Sequence, residues 1–288
     1  MFACTLFGID RQVYYRKIKR RIIQQDKAKS VVKMVVEIRK QMPRIGSKKL
    51  YYLLNQDLKT LKIGRDKFID ILRANHLLIV PKRSYHITTN SHHRFRKHKN
   101  KLLDLQINKP EQVWVSDITY IGKREKPCYL SLITDAYSKK IMGYNVSNNL
   151  NTESSLVALR MALKKRENKG NPLIHHSDRG LQYCANEYQK LLSKNEIQPS
   201  MTQNSDPYEN AVAERINGIL KQEFNIDKYN KDLVIMKQII KETVAIYNEK
   251  RPHLSNHMLT PNQMHKQDKL KMKTYKNKNS IKNIFDAV

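Results

Sequence analysis

The chain has 288 residues, 40% of them hydrophobic, and a formal charge of +29. At about 150 residues per domain this is one large domain or two. The apolar fraction excludes wholesale disorder, and the charge asks for a polyanionic partner. The charge is uneven: residues 1–110 carry a net +20, residues 111–288 a net +9, and the tail from Lys266 holds +5 of the latter. A nearly neutral stretch therefore lies between two basic arms. The aliphatic run Leu77-Leu78-Ile79-Val80 is far short of the ~20 residues a membrane span needs, and the first residues lack the basic start of a secretory signal. Cys4, Cys128 and Cys184 are odd in number and widely spaced. They fit a reducing compartment, not a disulfide framework or a Cys/His zinc module.

In chain order, Asp10 is placed to cap a helix with basic faces, and residues 1–27 read as a basic helical segment. Val31, Val32, Val35, Val36 and Ile38 continue at helical spacing to a stop at Pro43. A second helix starts at Ser47 with Leu50, Leu53 and Leu54. Gly64 opens a third, with Phe68, Ile71 and Leu72 inward and Arg65, Lys67 and Arg73 outward. Short helices joined by turns, the last rich in cations, give 28–84 the outline of a helix-turn-helix region that reads DNA. A plain helical bundle fits the same pattern. Residues 85–109 read as a basic linker, in which Arg94, Arg96, Lys97 and Lys99 suit phosphates.

After Pro110 the period changes. Val113–Ile121, Tyr129–Thr134 and Lys140–Val146 read as a three-stranded meander. A helix from Thr152 to about Glu167, a strand at Pro172–Ser177, a helix at Asn186–Lys194, a strand at Ile197–Met201 and a long helix from about Tyr208 follow. This order predicts an α/β core over 110–265, a mixed sheet flanked by helices, with 266–288 left as a basic tail.

Three acids stand out by position. Asp117 interrupts an apolar strand, Asp178 stands where a strand ends, and Glu214 lies on the long helix, with 35 residues between it and Asp178. A carboxylate in such surroundings needs a partner. On a helical wheel Asn210, Asn217 and Lys221 fall near Glu214, with Val212, Ile216, Ile219 and Leu220 opposite. Glu223 breaks the pattern by falling on the apolar side. A solvated Glu214 fits this helix as well as a catalytic one. Only convergence of the three acids would make a site for Mg²⁺ or Mn²⁺, where two ions ~3.5–4 Å apart serve in-line phosphodiester displacement.

The motifs Val113-Trp114-Val115-Ser116-Asp117-Ile118-Thr119-Tyr120, His176-Ser177-Asp178-Arg179-Gly180-Leu181-Gln182-Tyr183 and Asn210-Ala211-Val212-Ala213-Glu214-Arg215 occur in this order. Lys221 follows, then Tyr247-Asn248 and Arg251-Pro252-His253. With these motifs the chain resembles the DDE transposases of bacterial insertion sequences, in the form encoded by the second of two overlapping frames (OrfB type). The likeness runs from Leu6 to about Met264.

The resemblance implies an α/β, ribonuclease H-like core of the retroviral-integrase type, preceded by an all-α helix-turn-helix region. It implies Asp117, Asp178 and Glu214 as catalytic metal ligands for Mg²⁺ or Mn²⁺, two ions in all. Lys221, with Asn210 beside it, would meet double-stranded DNA. Water would cut at an element terminus, and the freed 3′-hydroxyl would attack target DNA without ATP or a covalent enzyme–DNA intermediate. The implied partners are element ends and target, further copies of the chain, and an upstream-frame (OrfA) product, as partner or fusion. The implied setting is the bacterial cytoplasm, at the nucleoid, with no membrane. Glu209 departs from the Asp that many relatives carry. The alternative function is a non-catalytic DNA-binding regulator of a fused transposase.

Overall fold

No Gly or Pro stands between Arg11 and Gln41, and a single helix, α1 (Arg11–Gln41), spans this interval. It runs uninterrupted through residues 27 and 28, so the expected basic segment and the start of the helix-turn-helix-like region share one helix. The Asp10 carboxylate accepts from the Gln12 and Val13 amides, at 2.7 and 3.3 Å, and caps the helix start. In this computed structural model the described residues are 10–80, 98–102, 105–122, 127–203, 210–229 and 232–271, with Leu6 and Gly8. The chain forms two units, Met1–Lys82 and Arg83–Val288.

The first unit is helical. After α1 come α2 (Ser47–Leu53), α3 (Asn55–Thr60) and α4 (Arg65–Ala74). Val31 and Val35 of α1, Leu50 of α2, Leu58 of α3, and Phe68 and Leu72 of α4 are all buried. Arg65 and Lys67 are exposed on α4.

The second unit is built on a five-stranded sheet. Its strands are β1 (Val113–Ile121), β2 (Cys128–Asp135), β3 (Ile141–Ser147), β4 (Leu173–Ser177) and β5 (Ile197–Met201), ordered β3-β2-β1-β4-β5. β1 to β3 form an antiparallel meander, while β4 runs parallel to β1 and β5 parallel to β4. This is the ribonuclease H-like mixed sheet. Helices α5 (Thr152–Lys165), α6 (Leu181–Cys184) and α7 (Asn186–Lys194) supply Leu156, Leu159, Tyr183, Tyr188 and Leu192 to a core with Trp114, Ile133 and Met142. Asn151, one residue before the expected Thr152, is the cap position of α5. A smaller cluster joins Val113, Val115 and Ala136 to Ala213 of α8 (Ala211–Glu223). Residues alternate across a strand, so Asp117 shares the face of β1 that carries Val113 and Val115.

β3 and α5 approach closely at Gly143. A Cβ there would lie 2.0 Å from the Ala158 carbonyl oxygen and 2.9 Å from the Ala162 nitrogen, both backbone atoms of α5. Gly143→Ala must push the helix off the sheet. It is expected to lower stability by about 1–3 kcal/mol, as overpacked cores do, in a urea titration; an unchanged midpoint would refute the tight contact.

Helix α9 (Leu233–Glu249), not foreseen from the sequence, closes the edge of the sheet. The Asn248 side chain accepts from the Ile141 amide (2.9 Å) and donates to the Ile141 carbonyl (3.0 Å), and the Tyr247 hydroxyl donates to the Lys139 carbonyl. The last helix, α10 (Pro261–His265), begins with a Thr260/Gln263 capping box. It seats His265 between two wholly buried carboxylates, Glu111 at 3.6 Å and Asp135 at 3.7 Å. Burial alone lowers the His265 pKa; hydrogen bonding to Asp135 and Glu111 outweighs this and raises it. Among the described residues no helix is long and apolar enough to cross a membrane.

Candidate active site

The parallel pairing of β1 with β4 ends at Ser116 opposite Ser177. The next residue of each strand is a carboxylate, so Asp117 and Asp178 leave neighbouring strands at the same level. Asp178 is positioned by a tight turn: its Oδ1 accepts from the Gly180 amide at 3.0 Å. A Cβ on Gly180 would come within 3.0 Å of that same oxygen, so a side chain here would crowd the carboxylate. The Gln182 amide anchors the following turn by donating to the Leu150 carbonyl at 2.6 Å.

The third acid comes from α8. Glu214 lies exposed in its first turn, with its carboxyl raised above the usual range by what burial it has. One helical turn further, Asn217 is buried, and its amide donates to Asp117 Oδ2 at 2.6 Å. Asp117 Oδ1 accepts from the Ile118 amide at 2.9 Å. Lys221, a further turn along, has its ammonium lowered by burial and raised in part by Asp117 and Asp227. It therefore lies within electrostatic reach of the first acid.

The charges of the other two acids are felt at Asp117. Burial raises Asp117 to about 7, and the charges of Asp178 and Glu214 push in the same direction, against the hydrogen bonds from Asn217 and Ile118. Like charges gathered around a hindered carboxylate are what a divalent cation relieves. Among the described residues no three His, Cys, Asp or Glu side chains form a ready-made cage for an ion. Mg²⁺ does not require one, because it commonly takes one or two carboxylates and completes its shell with water and substrate oxygens. The hard oxygen donors fit Mg²⁺ or Mn²⁺.

The other expected site residues fall in different places. Lys99 is exposed, and Arg65 and Lys67 belong to the first unit. Arg94, Arg96 and Lys97 lie outside the described residues, as does Glu209. Asn210, expected at the DNA, is buried, and its amide donates to the Ser116 carbonyl at 3.2 Å. Its amide belongs to the framework of the site.

Two features were missed. Asn217 was placed on the Glu214 face but its tie to Asp117 was not; the i, i+3 spacing was the available signal. Glu223 was noted only as a break in the apolar pattern. It accepts two hydrogen bonds from the Arg251 guanidinium, at 2.7 and 2.8 Å, and Arg251 is 1% exposed.

Comparison with known proteins places these observations in context. Residues 107–207 and 195–261 match two family models, each described as an integrase core domain. A 31 kDa protein of insertion element IS600 from Shigella sonnei is 31% identical over 87% of this chain and 92% of its own length. Transposase InsF of insertion sequence IS3fB from Escherichia coli is 31% identical over 57% of each chain. The alignment thus spans little more than half of that transposase. Among solved structures, the HTLV-2 integrase catalytic core domain in complex with magnesium aligns at a TM-score of 0.43 and 20% identity, over 55% of this chain and 97% of that one.

Proposed function

The chain belongs to the bacterial insertion-sequence transposases with an integrase-type DDE core, and we propose that Asp117, Asp178 and Glu214 are the acids with which it cuts an element end and joins it to target DNA. The observation that carries this reading is geometric: β1 and β4 pair as far as Ser116 and Ser177, so Asp117 and Asp178 follow side by side, and Asn217 of the helix that bears Glu214 donates to Asp117 at 2.6 Å. Three acids far apart in the chain thereby act on one another in the fold.

Asp117, Asp178 and Glu214 would hold Mg²⁺ or Mn²⁺, two ions in the full site. Such ions supply Lewis acidity at the phosphoryl oxygens and favour the deprotonated nucleophile. The chain's own residues do the rest. Asn217 fixes the rotamer of Asp117. Gly180 gives its amide to Asp178. Lys221, carried by the helix that bears Glu214, offers a cation to the phosphate next to the reacting bond. Arg94, Arg96, Lys97 and Lys99 track the DNA backbone, and Arg65 and Lys67 do so from the helical unit. Water frees a 3′-hydroxyl in the first step; in the second this hydroxyl attacks the target, whose phosphodiester breaks with release of the target 3′-hydroxyl as the new one forms, so no ATP is needed. Joining two ends to one target calls for more than one copy of the chain. An upstream-frame partner, or fusion to it, would contribute further recognition of the ends. The setting is the cytoplasm, where the DNA lies.

The test is incubation of the purified chain with labelled element-end DNA and Mg²⁺. Strand-joined product is expected, and Lys221→Ala should reduce joining by about 100-fold, in the range for loss of one preorganised charge contact. Hydrolysis without joining would make the protein a nuclease, and binding without cutting a regulator.

A further inference from the structure

We propose that Ser116 is a positioning residue that sets the spacing of the three acids, by tying together the three elements that carry them. The inference rests on the catalytic reading above and goes beyond it, since Ser116 holds no ion and touches no substrate.

Ser116 is completely buried on β1, immediately before Asp117. Its Oγ lies 2.7 Å from His175 Nε2 on β4, three residues before Asp178. The same His175 nitrogen lies 2.9 Å from the Tyr188 hydroxyl on α7. The Ser116 carbonyl accepts the Asn210 amide at the start of α8, one turn before Glu214. One residue thus holds β4 by its side chain and α8 by its backbone, while the residue after it is the first acid.

The chemistry suits a fixed strut and not a proton carrier. Burial pushes His175 down to about 3, with His176 adding to the effect, so the ring stays neutral and Nε2 can accept a hydroxyl hydrogen. Register is set by the buried pattern and by specific contacts across strands, and the cross-strand partner of His175 is Trp114. The Ser116–His175 contact therefore spans a diagonal of the ladder, which a shifted register would break. A shift of one residue would turn Asp178 or Asp117 to the opposite face of the sheet.

The experiment compares wild-type protein with Ser116→Ala, Ser116→Thr and His175→Gln. Mn²⁺ affinity is measured by calorimetry without DNA, and end cleavage is resolved into kcat and KM. Ser116→Ala is expected to bind Mn²⁺ about tenfold more weakly, the usual effect of losing a group that orients a metal ligand, with kcat reduced and KM for DNA unchanged. Ser116→Thr keeps the hydroxyl and His175→Gln keeps an acceptor, so each should recover most of the affinity. Wild-type Mn²⁺ affinity in Ser116→Ala would overturn the positioning role alone. So would losses that the conservative variants share in full. A wild-type protein that neither binds Mn²⁺ nor cuts DNA would instead overturn the catalytic reading, and the positioning role with it.

Discussion

Asp117→Asn is expected to abolish DNA cleavage, by about 10³-fold or more, and yet to give a protein more stable than wild type at pH 8 without divalent cations. The reason is the carboxylate's environment. Its pKa rises from 3.8 to about 7, first through burial and then through Asp178 and Glu214. The folded state therefore favours the protonated acid. The stability contributed by protonated Asp117 is complete below about pH 4 and is lost as pH rises through about 7. A shift of about three units corresponds to about 4 kcal/mol. The side chain keeps partial access to water, so about 1–3 kcal/mol is the realistic share. Asparagine never ionises and can still present an oxygen to the Asn217 amide. The gain of the variant over wild type should thus be small at pH 4, grow through neutrality and level off above it.

Divalent cations should reverse the order. An ion that binds only the folded wild type adds about 2.7 kcal/mol at a hundred times its dissociation constant, and the neutral variant loses most of this gain. Thermal melts at pH 5 and pH 8, with and without Mn²⁺, contain the whole argument. If the variant were the less stable protein at pH 8 in chelator, Asp117 would be a structural hydrogen-bond acceptor and not a strained member of an acid cluster.

The contrast between what the sequence disclosed and what it hid has physical causes. β1 was legible because seven of its nine residues are β-branched or aromatic and leave few other structures available. The meander and the two parallel strands followed from the same signal, and Asp117 was conspicuous because it interrupts that signal. The first helix runs on to Gln41 because the cations along it do not break helices and the breakers come only at Pro43 and Gly46. Helix α9 carries many β-branched residues, Val234, Ile235, Ile239, Ile240, Thr243 and Val244, which weaken its helical signal. Its buried positions, Met236, Ile240, Thr243, Val244 and Tyr247, nevertheless recur at the helical period. The late motif Tyr247-Asn248 carried a resemblance but no mechanism. In the fold it closes the edge of the sheet at Ile141 and Lys139. Within the site, the three acids could be named one by one. Ser116 and Asn217, which hold them in place, act through contacts across 94 and 100 residues of chain, which no local pattern encodes.

The same long-range logic makes Arg251→Met the substitution with the largest expected cost to stability. Glu223 occupies the last turn of α8, where the helix dipole disfavours a negative charge, and it points to the apolar side. It is tolerated there because Arg251 meets it with two hydrogen bonds, at 2.7 and 2.8 Å, over the Tyr247 ring at 5.8 Å. The pair is withdrawn from water, with side-chain exposures of 2% for Arg251 and 16% for Glu223. Such a pair contributes little net stability over an apolar one, because desolvation consumes most of the attraction. Removing one partner is another matter: an uncompensated buried charge costs about 3–5 kcal/mol. Arg251→Met should therefore cost about that much in urea denaturation. Glu223→Leu should behave similarly, because it strands the guanidinium. The double variant Glu223→Leu with Arg251→Met leaves no charge behind and should recover most of the loss, giving a strong coupling in the double-mutant cycle. Additive losses would show instead that each side chain works through its own packing. Because Glu223 and Glu214 share one helix, the single variants should also loosen the end of α8 opposite the acid. Cleavage by the double variant should then approach that of wild type, while each single variant falls short of it at the same temperature.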